Sequence, residues 1–147
     1  MLRNNRVVKK LAISSILVSV MVLGIIGTVS ATEFPKGDTI PAGETIEDDV
    51  FITGDSVTID GNVDGILFAV GSTVTLNGAV TGDAFLAGEI VIVGQSAVVD
   101  GNLFIAGADL TVEGEVTGSL FGGSSAFELT ETASVGRNFY AGAFSVV

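Results

Sequence analysis

The side chains of this chain that are best suited to chemistry are its carboxylates. The sequence contains 17 Asp and Glu residues but no His and no Cys, which excludes thiolate nucleophiles, His general bases and zinc sites of the usual ligand types. Cleavage of a glycosidic bond needs two placed carboxylates, and Asp49 and Asp83 occupy equivalent places in a sequence repeat. Charges on the outside of a repeat protein are usually only solvated, so we predict that the protein is not an enzyme.

An acidic cluster lies in a polar lead-in segment, residues 32–49, which also contains Pro35 and Pro41. The cluster consists of Glu44, Glu47, Asp48 and Asp49. We interpret it as a solvated cap over one end of the repeats that follow, and a calcium site is the alternative. The run Gly122-Gly123-Ser124-Ser125 lacks the Lys of a phosphate-binding loop. We therefore predict no catalytic, cofactor-binding or metal-binding residues and no cofactor.

The charge of the chain is distributed very unevenly. Four of the six basic residues lie before position 11, and all the acidic residues lie after position 32. Removal of residues 1–31 therefore lowers the formal net charge from −11 to −15, because that segment carries four positive charges and no negative one. A body this acidic repels phosphate groups, so we exclude nucleic acid as a partner.

Residues 1–31 have the pattern of an export signal. Basic residues at Arg3, Arg6, Lys9 and Lys10 precede an uncharged run over residues 11–29, and Val29-Ser30-Ala31 suits cleavage after Ala31. The length of the run is close to the roughly 20 residues that span a bilayer, so an uncleaved membrane anchor is the alternative. Either interpretation places the body outside the cytoplasmic membrane, in the periplasm or at the cell surface.

A short phrase centred on phenylalanine repeats through the rest of the chain. Its copies contain Phe51, Phe68, Phe85, Phe104, Phe121 and Phe139, and the interval between successive copies varies by no more than two positions. A nearly fixed short period is the signature of a solenoid.

Each unit contains two further apolar segments separated by turn residues. The second segments are 57–59, 74–76, 91–93, 110–112 and 127–129, and the third are the valines Val63, Val80, Val99, Val116 and Val135. Alternation of β-branched and polar residues indicates half-buried strands. We predict an all-β fold, a single-stranded parallel β-helix with a triangular core and about six coils of roughly 17–19 residues over residues 50–147. At about 4.8 Å per coil, the rod is about 29 Å long.

Glycines stand three residues before five of the six phenylalanines, where we expect corners with positive φ. They are Gly65, Gly82, Gly101, Gly118 and Gly136.

The alternation within the first strand decides which side chains face the interior. One parity buries aliphatic residues such as Val50 and Ile52, and the other buries the six phenylalanines. We favour the aliphatic interior, because the residue two before each Phe is mostly polar. The phenylalanines then form an outer ladder, a large apolar patch of the kind that marks an interaction surface. The alternative is that the six rings form the core stack.

The sequence stops at Val147, inside the second strand of a sixth coil, with an apolar segment and no cap. We expect either a longer parent protein or an open coil end to which another subunit adds by strand pairing. The residues predicted for such self-association are Phe127, Leu129, Phe139, Tyr140, Phe144 and Val146.

The repeated phrases resemble those of the bactofilins, a family of bacterial polymer-forming cytoskeletal proteins. The resemblance rests on Gly82-Asp83-Ala84-Phe85-Leu86-Ala87-Gly88, Gly101-Asn102-Leu103-Phe104-Ile105-Ala106-Gly107 and Val74-Thr75-Leu76-Asn77-Gly78. It implies a right-handed β-helix that polymerises end to end without nucleotide into a membrane-associated scaffold, and it brings no catalytic or cofactor residues. The export signal departs from the family, whose typical members are cytosolic.

Taken together, the sequence predicts a structural, self-associating protein of the cell envelope. Its expected partner is itself, with the membrane or cell-wall components as further partners. The alternative function is a cell-surface binding module that uses the outer Phe ladder to bind a carbohydrate or another protein.

Overall fold

The structure is a computed structural model that describes residues 37–146, without the side chain of Phe144. Over these residues the protein is all-β, with fifteen strands and no helix, and all pairings are parallel. The predicted parallel β-helix is thereby confirmed as a solenoid of about six coils. The predicted signal peptide or anchor (residues 1–31), residues 32–36 of the lead-in and Val147 lie outside the described residues.

Among residues 37–146, the structure has no helix of sufficient length and apolar character to span a bilayer.

The strands form two sheets that wrap around a common interior. The smaller sheet contains six two-residue strands: β2 (Thr45–Ile46), β4 (Asn62–Val63), β6 (Ala79–Val80), β9 (Val98–Val99), β12 (Glu115–Val116) and β14 (Ser134–Val135). The larger sheet contains β1 (Thr39–Ile40), β3 (Val50–Ile59), β5 (Leu67–Leu76), β7 (Ala84–Ala87), β8 (Ile90–Val93), β10 (Leu103–Ala106), β11 (Asp109–Val112), β13 (Leu120–Leu129) and β15 (Phe139–Val146). The larger sheet bends at a corner, which divides it into a first face and a second face. The first face contains β7, β10 and the first parts of the long strands β3, β5, β13 and β15, and the second face contains β1, β8, β11 and the last parts of those long strands. The small sheet is the third face.

We number the coils by the strand that begins each on the first face, from β3 in the first coil to β15 in the sixth. The coils have a shorter and a longer form, which the strand pairings reveal: Leu67 pairs with Ala84 across a short coil, and Ala84 pairs with Leu103 across a long one. The two additional residues of the long form lie in the corner between the second and third faces. That corner has four residues at 41–44, 94–97 and 130–133, closed by backbone hydrogen bonds such as Ala97 N–H to Gly94 O, 2.9 Å.

The interior contains the aliphatic side chains of all three faces, which is the parity that we favoured. Val50, Ile52, Val57 and Ile59 of β3 are buried, while Phe51 between them is exposed. The same alternation recurs in β5 and β10. Each coil therefore adds one layer to a continuous apolar core. Because each buried methylene group contributes about 0.8 kcal/mol, this core is the main source of stability.

The glycines three residues before five of the phenylalanines do not have the positive φ that we expected. Within the described residues, only Gly37 and Gly43 have φ in the left-handed range. The glycines are needed instead because the backbones of adjacent coils approach closely: a Cβ at Gly82 would lie 2.6 Å from the carbonyl oxygen of Gly65 in the coil before.

The sequence predicts a regular sheet from near Val50 that can follow an irregular first coil, and the structure has short ladder pairing before Val50. β1 and β2 lie inside the lead-in, and Thr39 and Ile40 pair with Thr58 and Ile59 of β3. Ile40 and Ile46 are buried. This part of the lead-in is thus an incomplete first turn of the solenoid, which its prolines and charges conceal in the sequence.

Candidate functional site

The first face of the solenoid has a column of six aromatic rings, of which the five from Phe68 to Tyr140 are stacked and the first, Phe51, is tilted by 37° against Phe68. The column consists of Phe51, Phe68, Phe85, Phe104, Phe121 and Tyr140, one ring per coil. The central rings are nearly parallel, with centroids 4.6 Å apart for Phe68 and Phe85 and 4.8 Å apart for Phe104 and Phe121. Such stacking contributes about 0.5–1.5 kcal/mol per pair beyond area burial, so the aromatic column also ties the coils together.

The sixth ring of the column is Tyr140, and the sequence-based choice of Phe139 was wrong. Leu120 pairs with Phe139 and Phe121 pairs with Tyr140, whose rings are 5.1 Å apart. The four-residue corner at 130–133 shifts the register by two residues relative to the coil before. Phe139 consequently continues an interior column, where its ring lies 5.3 Å from that of Phe127.

A second column of outward residues runs beside the rings, two positions later in each strand. It becomes smaller along the rod and consists of Thr53, Val70, Ala87, Ala106, Gly123 and Gly142. We call this the small-residue column, and we call the two columns together the aromatic face. A groove of about 770 Å³ runs along this face from the second coil to the sixth, with the rings as one wall and the small residues as its floor. Sequence reasoning missed this column, although its residues stand at a constant offset from the rings.

The aromatic face carries no charge, although the body of the protein is strongly acidic. None of its twelve residues is Asp, Glu, Lys or Arg, while Asp109 and Glu128 lie on the second face and Glu115 lies on the third. Carboxylates flank the aromatic face along the strands, at both of its borders. Asp49 and Asp83 precede the ring column, and Asp55 and Glu89 follow the small-residue column at the corner.

The carboxylates of Asp49 and Asp83 are engaged in holding the corner together. Asp49 Oδ1 accepts a hydrogen bond from the backbone N–H of Ile66, 2.8 Å, and Asp83 Oδ1 accepts one from the N–H of Asn102, 2.7 Å. Asn102 Oδ1 in turn accepts from the N–H of Ser119, 3.0 Å. These side chains therefore supply acceptors for backbone donors that the corner leaves without strand partners.

The rings of the aromatic column expose mainly their edges. Phe85 lies between Phe68 and Phe104, 4.6 and 4.7 Å away, with interplanar angles of 6° and 4°. Both faces of the Phe85 ring are thus covered by neighbouring rings. Stacking of a sugar on an aromatic ring needs an open ring face, which the centre of this column does not offer.

The acidic cluster of the lead-in is not arranged as a metal site. No group of three Asp or Glu residues that could hold a metal ion occurs in residues 37–146, which include the whole cluster. Asp48 instead accepts a hydrogen bond from the N–H of Asp49, 2.8 Å.

The residues predicted for end-on self-association lie in very different environments. Phe127 is buried in the core, and Leu129 packs partly against it. Phe139, Tyr140 and Val146 of β15 are 38%, 55% and 54% exposed, and the side chain of Phe144 lies outside the described residues. The structure thus leaves three of the six predicted residues accessible to solvent. One of these three, Tyr140, belongs to the aromatic face.

Comparison with models of protein families, with curated proteins and with solved structures found no match.

Proposed function

We propose that this protein is a structural, self-associating β-helix protein that builds a scaffold or polymer at the cell envelope without a nucleotide or other cofactor. The observation that carries the proposal is the aromatic face: one uncharged, apolar face on a rod that is otherwise acidic. Apolar patches of a few hundred Å² on a soluble protein usually serve as interaction surfaces.

The distribution of charge favours contact between copies through the aromatic face. Two acidic rods repel each other in most orientations, because their second and third faces and their corners carry the carboxylates. The aromatic face lacks such charges, so contact through it removes apolar surface from water with the least electrostatic cost. Repulsion between the acidic surfaces then disfavours the other orientations of the two rods.

The rod itself suits a structural role. Its coils are joined by parallel backbone ladders on three faces and by the stacked rings of the aromatic column. Each coil contacts mainly its neighbours, as in other solenoids. A scaffold needs a stiff unit of this kind that presents one continuous surface along its length.

The location at the envelope is supported by the export-type pattern of residues 1–31, and the polymer is supported by the likeness of the repeats to those of bactofilins. The proposed end-on contact is made by exposed residues of β15, which include Phe139 and Val146. Membrane or cell-wall components are proposed as the surface on which the scaffold lies.

A binding module of the cell surface remains the second candidate function, since the groove offers an elongated apolar site. Its carbohydrate-binding form has less support, because the central rings are stacked on each other and present edges. A protein partner with an apolar strip is the form of this candidate that fits the groove.

The test uses the full chain, expressed with its N-terminal segment and recovered from the exported fraction or, if anchored, from the membrane in detergent. Sedimentation velocity is measured from about 1 to about 500 µM, a range that covers weak contacts. The proposal expects the weight-average mass to rise reversibly with concentration, and to rise further in high salt, which screens the acidic bodies and strengthens apolar burial. A monomer at every concentration and salt level would contradict it.

A further inference from the structure

The two columns of the aromatic face form a ridge and a groove that run side by side. The rings protrude as the ridge, and two residues later in each strand, about 7 Å away, the small-residue column forms the groove. The two columns have one member in each of the six coils and extend for about 24 Å, and the groove itself is lined by residues of the second to sixth coils. A surface with this shape is complementary to a copy of itself.

We infer that the aromatic face binds a second copy of this chain, with the ring column of each copy seated in the small-residue column of the other. The pair has a two-fold axis parallel to the solenoid axis, so both rods point in the same direction. This inference rests on the proposed self-association and specifies its surface and its geometry.

The direction of the two rods follows from symmetry. Two identical faces can be brought together by a two-fold axis that lies between them, either along the rod or across it. An axis across the rod reverses one copy end to end and places ring column against ring column, which leaves both grooves empty. An axis along the rod exchanges the two columns, so that Phe85 of one copy lies over Ala87 of the other and Phe104 lies over Ala106.

The shape of the groove makes the contact tightest at the last coils. Its floor falls from Val70, through Ala87 and Ala106, to Gly123 and Gly142. An added Cβ at Gly123 or Gly142 would meet nothing within 4 Å in its own chain. Tyr140, the most exposed ring of the column at 55%, lies at the level of Gly142. The bulkiest ring of each copy thus faces the deepest part of the other copy's groove.

The size of the face sets the strength of the contact. A strip about 24 Å long and about 13 Å wide buries on the order of 600 Å² in total, which is in the class of weak or transient contacts. The border carboxylates Asp49, Asp83, Asp55 and Glu89 weaken it further at low salt. Pairing is therefore expected at high local concentration, as on a membrane.

The test compares two valine substitutions in the same strand of the full chain. Gly123→Val fills the groove at a position where the chain's own fold has open space. Ala126→Val adds a valine to β13 on the exposed second face and is the matched control. Sedimentation should show at least a tenfold weaker association for Gly123→Val and an unchanged one for Ala126→Val, while both variants keep the parent's circular dichroism spectrum and thermal midpoint.

The outcomes separate this inference from the proposed function. Association that is equal in the parent and both variants overturns the groove as the contact and leaves self-association standing, through another surface. A parent that never associates overturns both.

The direction of the rods has its own measurement. The sequence has no Cys, so single nitroxide labels can be attached at Glu47→Cys and Thr81→Cys, two exposed positions on the third face two levels apart. In a parallel pair the distance between the two labels, measured by pulsed electron spin resonance, is the same for both positions. In an antiparallel pair the axial separation is about 24 Å for Glu47→Cys and about 5 Å for Thr81→Cys. Unequal distances of this kind would overturn the proposed geometry.

Discussion

Phe127 occupies the space that Gly122 leaves in the core of the fifth coil. Gly122 continues the interior column of Ile52, Ala69, Leu86 and Ile105, and a Cβ built on it would collide with the ring of Phe127. Phe127 continues the column of Val57, Val74, Val91 and Leu110, and it is 1% exposed. The core layer of the fifth coil therefore contains one large side chain and a glycine, in the places where the fourth coil has two medium-sized side chains.

This exchange predicts strong coupling between the two positions. Gly122→Ile alone should overpack the layer and cost about 1–3 kcal/mol or more, and Phe127→Leu alone should leave a cavity and cost about 1–3 kcal/mol. The double variant recreates the pair Ile105 and Leu110 of the fourth coil, so its loss should be well below the sum of the two. Urea unfolding of the parent, the single variants and the double variant measures this coupling. Additive losses would show that the two side chains do not share one space.

Glycines of the solenoid should differ sharply in their tolerance of alanine. At Gly82 an added Cβ lies 2.6 Å from a backbone oxygen of the adjacent coil, which can move only if the coils separate. At Gly123 nothing lies within 4 Å. We expect Gly82→Ala to lower the free energy of unfolding by about 2 kcal/mol or more, and Gly123→Ala to leave it unchanged or raise it by up to about 1 kcal/mol. Thermal and urea unfolding check both. A tolerant Gly82 would mean that the corners are looser than the stacked carbonyls indicate.

The sequence predicted the coils and the parity of the strands because both follow from local pattern. Alternation in Val57-Thr58-Ile59 and its copies defines a half-buried strand, and the regular return of the Phe phrase defines the coil. The mostly polar residues two positions before the phenylalanines favoured rings on the outside and left a core stack as the alternative, and the structure has Phe51 outside.

The sequence did not predict the last coil correctly, because Phe139 and Tyr140 are adjacent and either could continue an aromatic column. The length of the preceding corner decides between them, and corner length depends on how the backbone turns. A signal was present, since the sequence offset between Val116 and Val135 equals the offset between Phe121 and Tyr140. The small-residue column was missed for another reason, because small residues reveal a groove only beside a neighbouring ridge.

The carboxylate of Asp83 should matter for stability through the backbone donor that it satisfies. Its Oδ1 accepts from the N–H of Asn102, 2.7 Å, and from Asn102 Nδ2, 3.1 Å. Asp83→Ala should lower the free energy of unfolding by about 1.5–3 kcal/mol, because it leaves a half-buried N–H without a partner. Asp83→Asn keeps an oxygen acceptor and should lose less. Asp60→Ala, at an exposed corner where the carboxylate accepts from Asn77 Nδ2, is the control and should change stability little. Equal losses for Asp83→Ala and Asp60→Ala would contradict this account.

Tyr140 is the only Tyr in a chain without Trp, so its fluorescence reports directly on the end of the aromatic face. Its ring is 55% exposed and stacks on Phe121. If two copies pair through this face, the ring becomes covered by the Gly142 region of the other copy, and quenching by acrylamide should fall as the protein concentration rises. The Gly123→Val variant should keep full quenching over the same range. Soluble oligosaccharides should have no effect on the parent, because the proposed partner of this face is a second copy and Phe121 already covers one face of the Tyr140 ring. Protection of Tyr140 by a sugar at low protein concentration would instead favour the carbohydrate-binding alternative, with the outer face of this last ring as its site.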